Sequence, residues 1–184
     1  KFNEKVKLYV VEVKNGSKGA QILVSRTHPG LVKRLFELEV PEIYEGVVEI
    51  KSISREAGSR SKIAVYSNDE NVDPMGACVG PKGTRVQNIV NELKGEKIDI
   101  IKWSKNPEEF IAASLSPAKV LEVVACEETK SAKVVVDDNQ LSLAIGKEGQ
   151  NVRLAAKLTN WKIDIKSKSQ ADALKEETVE ETIE

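Results

Sequence analysis

The chain has 184 residues, a net charge of -1, 40% hydrophobic residues and 31% charged residues. This length excludes a large multidomain enzyme and allows one ordinary domain or two small ones, while the composition excludes a wholly disordered chain. No apolar run approaches the roughly 20 residues that cross a bilayer, and the first residues lack the apolar segment of a signal peptide, so we expect a cytoplasmic protein with no membrane partner.

The first predicted element is a β-hairpin. Apolar residues alternate with polar ones through 5–13 and 20–26, and a turn rich in Asn and Gly joins the two runs. An isolated hairpin is only marginally stable in water. It therefore requires docking onto the segment that follows it, or further strands in front of it.

A first helix-and-strand unit follows the hairpin. Leu31, Leu35 and Leu38 share one face of a predicted helix that stops at Pro41. Two strands come next, over 46–56 and 61–68. Asp73 then caps a short helix that ends at Gly80, a second helix is predicted over 84–93, and a strand follows over 97–103.

The same order repeats downstream. Asn106 caps a helix over 107–116, strands cover 119–128 and 132–138, a short helix ends at Gly146, and a helix over 150–160 precedes a strand over 161–168. Residues 169–184 hold one basic and six acidic residues, so we expect a frayed acidic tail there.

Each unit carries a Gly-x-x-Gly loop between its last two helices. Glycine allows positive φ and close approach of another chain, and the amides that start the next helix suit a phosphate group. Two copies in matching context favour phosphate binding over simple helix caps. The predicted residues of these phosphate-binding sites are Gly80, Pro81, Lys82, Gly83, Thr84 and Arg85 in the first unit, and Gly146, Lys147, Glu148, Gly149, Gln150, Asn151 and Arg153 in the second.

The second loop departs from a purely basic pattern. Glu148 places a carboxylate beside the expected phosphate, so backbone amides are expected to contribute more there than side chains. Aliphatic side chains beside the loops are candidates for a ligand groove or for the core beneath it. These are Val79, Val86, Ile100, Ile145, Val152 and Ile165.

The duplicated loop in this setting resembles the KH domain, whose loop clamps about four nucleotides of single-stranded RNA. Residues 25–103 and 125–165 also resemble the NusA family of bacterial transcription elongation and termination factors. The resemblance implies an α+β fold with two tandem type II KH domains, at 29–105 and 106–168, each α-β-β-α-α-β with a three-stranded sheet and helices on one face. It also implies that residues 1–28 are the last strands of an OB-fold RNA-binding domain, preceded by a polymerase-binding domain.

The resemblance further implies a function. The chain would bind single-stranded RNA and act on nascent transcript in pausing, termination and antitermination, with RNA polymerase and other such factors as partners. A monomer without a cofactor is expected. Two alternatives stay open: a protein-interaction scaffold that uses KH folds without RNA, favoured by Glu148 and the acidic tail, and an accessory RNA-binding part of an RNA-processing enzyme.

Catalytic and metal-binding patterns are absent from the sequence. Leu141 stands where a nucleotide-binding P-loop needs its first glycine, and Glu148 where it needs Ser or Thr. His28, the only histidine, precedes a proline and is expected to be structural or solvent-exposed rather than catalytic. The adjacent Asp137 and Asp138 are expected to cap a helix. We therefore predict no enzymatic activity.

Aromatic and sulfur-containing residues give two further expectations. Aromatic residues make up 4% of the chain, which does not support a base-stacking platform, and Trp103 and Trp161 are expected to pack in or beside the cores. Cys78 and Cys126 lie far apart with no zinc-binding spacing, so both are expected to be reduced, buried hydrophobes.

Overall fold

The computed structural model describes the backbone of residues 3–180 and the side chains of residues 3–174. The chain divides into two compact units, Lys1–Ile100 and Ile101–Glu184. The last four residues of the predicted acidic tail, 181–184, lie outside the described residues. No helix between residues 3 and 180 combines the length and the apolar character needed to span a bilayer.

The first unit begins with an antiparallel hairpin and continues with a three-stranded sheet and its helices. The hairpin pairs β1 (Tyr9–Gly16) with β2 (Gly19–Ser25). The elements that follow are α1 (Pro29–Glu39), α2 (Pro41–Tyr44), β3 (Val48–Glu56), β4 (Arg60–Ser67), α3 (Pro74–Val79), α4 (Thr84–Glu92) and β5 (Lys97–Lys102). The sheet order is β3-β4-β5.

The second unit repeats this arrangement. Its elements are α5 (Pro107–Ser114), β6 (Val120–Cys126), β7 (Ser131–Val136), α6 (Leu141–Ile145), α7 (Gln150–Thr159), β8 (Lys162–Ser167) and α8 (Lys168–Glu180). The central strand β7 pairs antiparallel with β6 and parallel with β8, in the order β6-β7-β8. The predicted α+β fold and the order α-β-β-α-α-β are confirmed in both units.

Helix starts follow the predicted capping residues. Asp73 accepts hydrogen bonds from the amides of Met75 and Gly76 at 3.1 and 3.0 Å, and Asn106 accepts one from Glu108 at 3.0 Å. His28 also caps a helix, because its Nδ1 accepts from the Gly30 amide at 2.9 Å. Its expected structural role is confirmed.

Helix α1 buries a different stripe from the one predicted. Leu31 and Leu35 are buried together with Val32 and Phe36, whereas Leu38 is 71% exposed. Leu38 lies in the last turn of α1, where Val40, at the junction with α2, enters the core instead. Pro41 stops α1 as predicted, but it also starts α2, because a proline fits the first position of a helix.

The hairpin docks onto the first unit through its base. Tyr9 stacks on His28 with ring centroids 4.6 Å apart, and Arg26 binds the side chain and carbonyl of Glu92 at 3.0 and 2.8 Å. Most of its apolar side chains, including Val13 and Ile22, stay exposed. The expected docking is therefore present, and within the described part of the chain these contacts come from the base of the hairpin.

The core of the second unit lies between α5, α6 and α7 and one face of its sheet. Ala132, Val134 and Val136 of β7 share this core with residues from α5, α6 and α7. The intervening Lys133 and Val135 lie on the opposite face of the sheet. Trp161 is buried against the core, which confirms its expected packing role.

The two cysteines differ in environment. Cys78 is buried as expected, and burial raises the pKa of its thiol to about 12, so it stays protonated at neutral pH. Cys126 is exposed at the end of β6, and the expectation that it is buried is wrong. Side chains alternate along the edge strand β6, and Cys126 falls on the side away from the core.

The predicted acidic tail begins as an anchored helix. Ser167 and Gln170 form a reciprocal capping box, in which each side chain accepts a hydrogen bond from the other residue's amide, at 3.0 and 3.3 Å. The Asp138 carboxylate accepts bonds from the amide and hydroxyl of Ser169. Asp138 therefore anchors α8, and neither Asp137 nor Asp138 makes the predicted side-chain cap at the turn that follows β7.

A buried ion pair closes the end of the first sheet. The Glu96 side chain, 1% exposed, accepts two hydrogen bonds from the guanidinium of Arg55, 3% exposed, at 2.8 and 3.0 Å. The Ser61 hydroxyl and the Gly58 amide also donate to it, at 2.7 and 2.9 Å. Burial by itself would raise the pKa of Glu96, but these donors hold the pKa below its usual range.

Glu96→Gln is expected to destabilise the first unit by about 3–5 kcal/mol at neutral pH, because the buried Arg55 loses its counter-charge. The folded-state pKa of Glu96 is lowered, so its contribution is complete above the ordinary carboxyl pKa of about 4.3 and is lost as pH falls through the lowered value. Hydrogen exchange of β3 and β4 in increasing urea, at pH 7 and in acid, measures both effects.

The exposed pair Arg34–Glu37 supplies the control, and Glu37→Gln is expected to leave exchange unchanged. A loss for Glu96→Gln that is small at pH 7, or that grows in acid, would contradict the assigned role.

Candidate nucleic-acid interface

The two Gly-x-x-Gly loops have almost the same backbone conformation. Gly80 and Gly146 have φ/ψ of 74/172° and 78/168°. The third loop residues, Lys82 and Glu148, have φ of 54° and 53° despite being non-glycine. Each loop makes a single 3-10 turn, closed by a bond from the last glycine's amide to the first glycine's carbonyl at 3.0 and 3.1 Å.

The first glycine of each loop is required by close packing. A Cβ on Gly80 would lie 2.5 Å from Cγ of Arg85, and one on Gly146 would lie 2.7 Å from the backbone nitrogen of Asn151. The backbone angles also fall in a region that only glycine adopts readily. The loop therefore lies directly against the helix that follows it.

The second glycine of each loop faces open space. A Cβ on Gly83 would meet nothing within 4 Å, and one on Gly149 would meet only Cγ1 of Val152 at 4.0 Å. Both residues are left-handed, with φ of 76° and 73°, a conformation that Asn and Asp also tolerate. This is the side from which another chain can approach the backbone without touching a side chain.

The start of the helix after each loop has no side-chain cap. Among the described residues, no side chain accepts a hydrogen bond at the N-terminal cap of α4 or α7. The positive end of the α4 and α7 dipoles therefore lies directly after each loop, with no side chain capping it. Lys82 and Lys147 are exposed within the loops, and Glu148 is exposed beside Lys147.

Arg85, one of the predicted RNA-binding residues, makes structural contacts. Its Nη1 donates to the carbonyl of Ala77 at 2.7 Å and to Glu42 of α2 at 2.9 Å. The carbonyl of Ala77 lies four residues before Pro81, which has no N–H to offer it. Arg85 supplies the missing donor and fastens the end of α3 to α4.

Asn151 occupies the equivalent position after the second loop, and its carboxamide likewise donates to a carbonyl at the end of the preceding helix. Its side chain is buried, and its Nδ2 donates to the carbonyls of Ala144 and Leu115 at 3.0 and 2.9 Å. It therefore holds the end of α6 against α7 and α5. No local pattern predicts the inward roles of Arg85 and Asn151, because their partners Glu42 and Leu115 are distant from the loops along the chain.

The other predicted residues lie around the loops. The hydroxyl of Thr84 donates to the carbonyl of Pro81 at 2.9 Å, and Nη1 of Arg153 donates to the carbonyl of Glu148 at 3.0 Å. Of the aliphatic candidates, Ile145 is exposed and the rest are half-buried; Val86, Ile100 and Ile165 also contact the cores. No group of three or more described His, Cys, Asp or Glu residues could hold a metal ion.

The two glycine positions are expected to respond differently to substitution. Gly146→Ala should be the most damaging change, because its Cβ meets backbone, followed by Gly80→Ala, whose Cβ meets the side chain of Arg85. Backbone strain alone costs about 1–3 kcal/mol in each case. Gly83→Asn and Gly149→Asn should cost about 1 kcal/mol or less, since the left-handed region tolerates Asn.

The melting temperature of each variant, together with hydrogen exchange of the α4 and α7 amides, ranks the four variants by stability. Equal losses at the first and second glycines would contradict the distinction between a packed and an open side of the loop.

Comparison with known proteins identifies both units. A family model described as the NusA-like first KH domain matches residues 26–103, and one described as the NusA-like second KH domain matches residues 107–173. The crystal structure of APE1850 covers 73% of this chain and 95% of its own, with a TM-score of 0.53 at 22% identity, which is a likeness of fold alone.

Two curated relatives carry the same name. The transcription termination/antitermination protein NusA of Bacillus subtilis is 65% identical over 174 residues, covering 95% of this chain and 47% of the relative. That of Thermus thermophilus is 54% identical over 160 residues, covering 87% and 41%. The chain thus spans less than half the length of these relatives. With both of its KH domains matched in order, the chain belongs to the NusA family.

Proposed function

We propose that this chain is a non-enzymatic, single-stranded RNA-binding module that acts on nascent transcript to modulate pausing, termination and antitermination by RNA polymerase. The observation that carries the proposal is the pair of loops with matching backbone angles, each open at its second glycine and followed by a helix start without a side-chain cap. The names of the B. subtilis and T. thermophilus relatives support a role in transcription.

Each loop binds the sugar-phosphate backbone. A phosphate approaches at Gly83 or Gly149, where no Cβ intervenes, and meets the positive end of the helix dipole. Lys82 and Lys147 add charge from within the loops. Glu148 opposes the phosphate in the second loop, so backbone amides supply more of the grip there.

The bases lie over aliphatic side chains rather than aromatic ones. Val79 and Val86 flank the first loop and Ile145 and Val152 the second, all at least partly exposed. A surface of this kind accommodates unpaired bases, as in other KH domains that clamp about four nucleotides. Two clamps on one chain also raise the effective concentration of the second for any RNA long enough to reach both.

The setting of the activity follows from the same proposal. RNA polymerase and other termination or antitermination factors are the protein partners, the module acts as a monomer in the cytoplasm, and no cofactor takes part. A scaffold that uses KH folds without RNA is the competing function, and binding measurements separate the two.

Gly83→Asp and Gly149→Asp are each expected to weaken binding of a single-stranded RNA about tenfold more than Gly83→Asn and Gly149→Asn do. The Asp and Asn side chains have the same shape, and both are tolerated at positive φ, so the difference reports the added negative charge beside phosphate. Fluorescence anisotropy with a labelled 12-nucleotide RNA measures it.

Circular dichroism and hydrogen exchange confirm that all four variants fold. If folded Asp variants bind RNA as tightly as their Asn counterparts, phosphate does not lie at the loops and the scaffold interpretation is favoured.

Salt dependence tests the same contacts independently. With a slope of about -0.7 per phosphate on a single strand, four loop contacts predict about a twentyfold loss of affinity over a threefold rise in salt. The double variant Gly83→Asp with Gly149→Asp should show a shallower slope. A flat response for the unmodified chain would contradict phosphate binding.

A further inference from the structure

The short helices that precede the two loops differ in side-chain size at equivalent positions. Aligning Gly80 with Gly146 matches α3 with α6 residue by residue. The positions four, three and one residues before the glycine are occupied by Gly76, Ala77 and Val79 in α3, and by Ser142, Leu143 and Ile145 in α6. At each of these positions the side chain in α6 is the larger one.

The two helices end in the same way, so this comparison is between side chains on one backbone shape. In both, the amide of the first loop glycine donates to the carbonyl four residues earlier at 2.9 Å. The residue two positions before the glycine, Cys78 or Ala144, is fully buried in both domains. The larger residues of α6 are therefore not explained by a different helix geometry.

Large aliphatic side chains of α6 are left in water. Leu143 is 44% exposed and Ile145 is 37% exposed, whereas Ala77 is half-buried in the first domain. A single exposed leucine is common on protein surfaces. Helix α6 has only five residues, however, and once those that face the core are set aside, two of the remaining three are large and aliphatic. Covering them with a ligand is favourable.

Leu143 lies close to the second loop. It precedes the first loop glycine by three residues, which corresponds to about 5 Å along the helix axis. A strand whose phosphate lies at Gly149 carries its bases past this part of the molecule. Unpaired bases have apolar faces that pack on apolar side chains. Residues 137–160 contain no aromatic residue, so any such surface beside the second loop is aliphatic.

Charge within the second loop also favours a contact to the bases. Lys82 is the only charged residue of the first loop, whereas the second contains Lys147 and Glu148, which are adjacent and opposite in charge. Glu148 reduces the attraction of this loop for a phosphate. A contact between an aliphatic side chain and a base is not opposed by Glu148, because the base carries no negative charge.

We propose that Leu143 packs against an unpaired base of the RNA strand that binds at the second loop, a contact that Ala77 is too small to make in the first domain. The proposal rests on the function proposed above and adds to it a residue that contacts bases. The two loops then differ in how they hold the same ligand. An apolar contact releases no counterions, so its contribution to affinity does not change with salt.

Abasic RNA tests this contact directly. In a Gly83→Asp background, which weakens the first loop, Leu143→Ala should lower the affinity for a 12-nucleotide RNA about fivefold, the effect of losing part of a buried leucine side chain. The salt slope should not change. With the same oligonucleotide made abasic at every position, Leu143→Ala should have no effect, because only the sugar-phosphate backbone remains. Fluorescence anisotropy measures all four affinities.

The chain offers matched controls. Leu174→Ala removes a leucine that is 43% exposed from α8, on the sheet face opposite the core, and should leave RNA affinity unchanged. Leu143→Met keeps a side chain of similar volume and should bind within about twofold of the unmodified chain. Alanine is a strong helix former, so Leu143→Ala should keep α6 folded, which circular dichroism and hydrogen exchange check.

The first domain allows the reverse experiment. Ala77→Leu places the larger side chain at the equivalent position of α3. In a Gly149→Asp background, which weakens the second loop, it should raise the affinity for the 12-nucleotide RNA about fivefold and leave the abasic oligonucleotide unaffected.

The outcomes separate this proposal from the one on which it rests. A folded Leu143→Ala variant with unchanged affinity overturns the base contact, and the RNA-binding function stands if Gly149→Asp still binds more weakly than Gly149→Asn. An equal loss with the abasic oligonucleotide, or from Leu174→Ala, also overturns the contact. If neither Leu143→Ala nor the loop variants weaken RNA binding, both proposals fail.

Discussion

The structure of each loop depends on one contact, made by the second residue of the helix that follows it. Arg85 and Asn151 reach back to carbonyls at the end of the preceding helix, and they do so across a glycine whose missing Cβ leaves the space. The contact satisfies carbonyls that a helix end would otherwise leave unpaired. It fixes the angle between the two helices, and so fixes where the second glycine and the next helix start are exposed.

The two domains meet this requirement with different chemistry. In the first domain the partly buried guanidinium of Arg85 binds the Ala77 carbonyl and Glu42 of α2, whereas in the second domain the buried carboxamide of Asn151 binds the helix end. The loop angles nevertheless agree within a few degrees. The loops thus have the same backbone conformation although different side chains hold them in place. The exposed faces of the helices that follow also differ, with Gln87 and Asn91 in the first domain at the positions of Arg153 and Lys157 in the second.

The aspartate of the last strand is held in ion pairs in the first domain, whereas the equivalent aspartate of the second domain is mostly exposed. Both domains contain the sequence Lys-Ile-Asp-Ile in their last strand, yet Asp99 binds Arg60 and Lys62 at 2.7 and 2.9 Å while Asp164 is 61% exposed. The position equivalent to Arg60 in the second domain is Ser131. Burial by itself would raise the pKa of Asp99, and its two cationic partners hold the pKa low.

Local sequence determined the elements, the repeat and the location of the loops, because helix caps at Asp73 and Asn106, hairpin turns and paired glycines act over a few residues. Tertiary structure decided which side chains face the open side of the loops. Arg85 and Asn151 turn inward because they bind partners distant in sequence. Leu38 is exposed, whereas Val40 is buried in the core. Helix α8 begins at the capping box of Ser167 and Gln170, and Asp138 binds its first turn. Such choices depend on which unpaired carbonyls and apolar surfaces the folded chain brings together, and no local pattern encodes them.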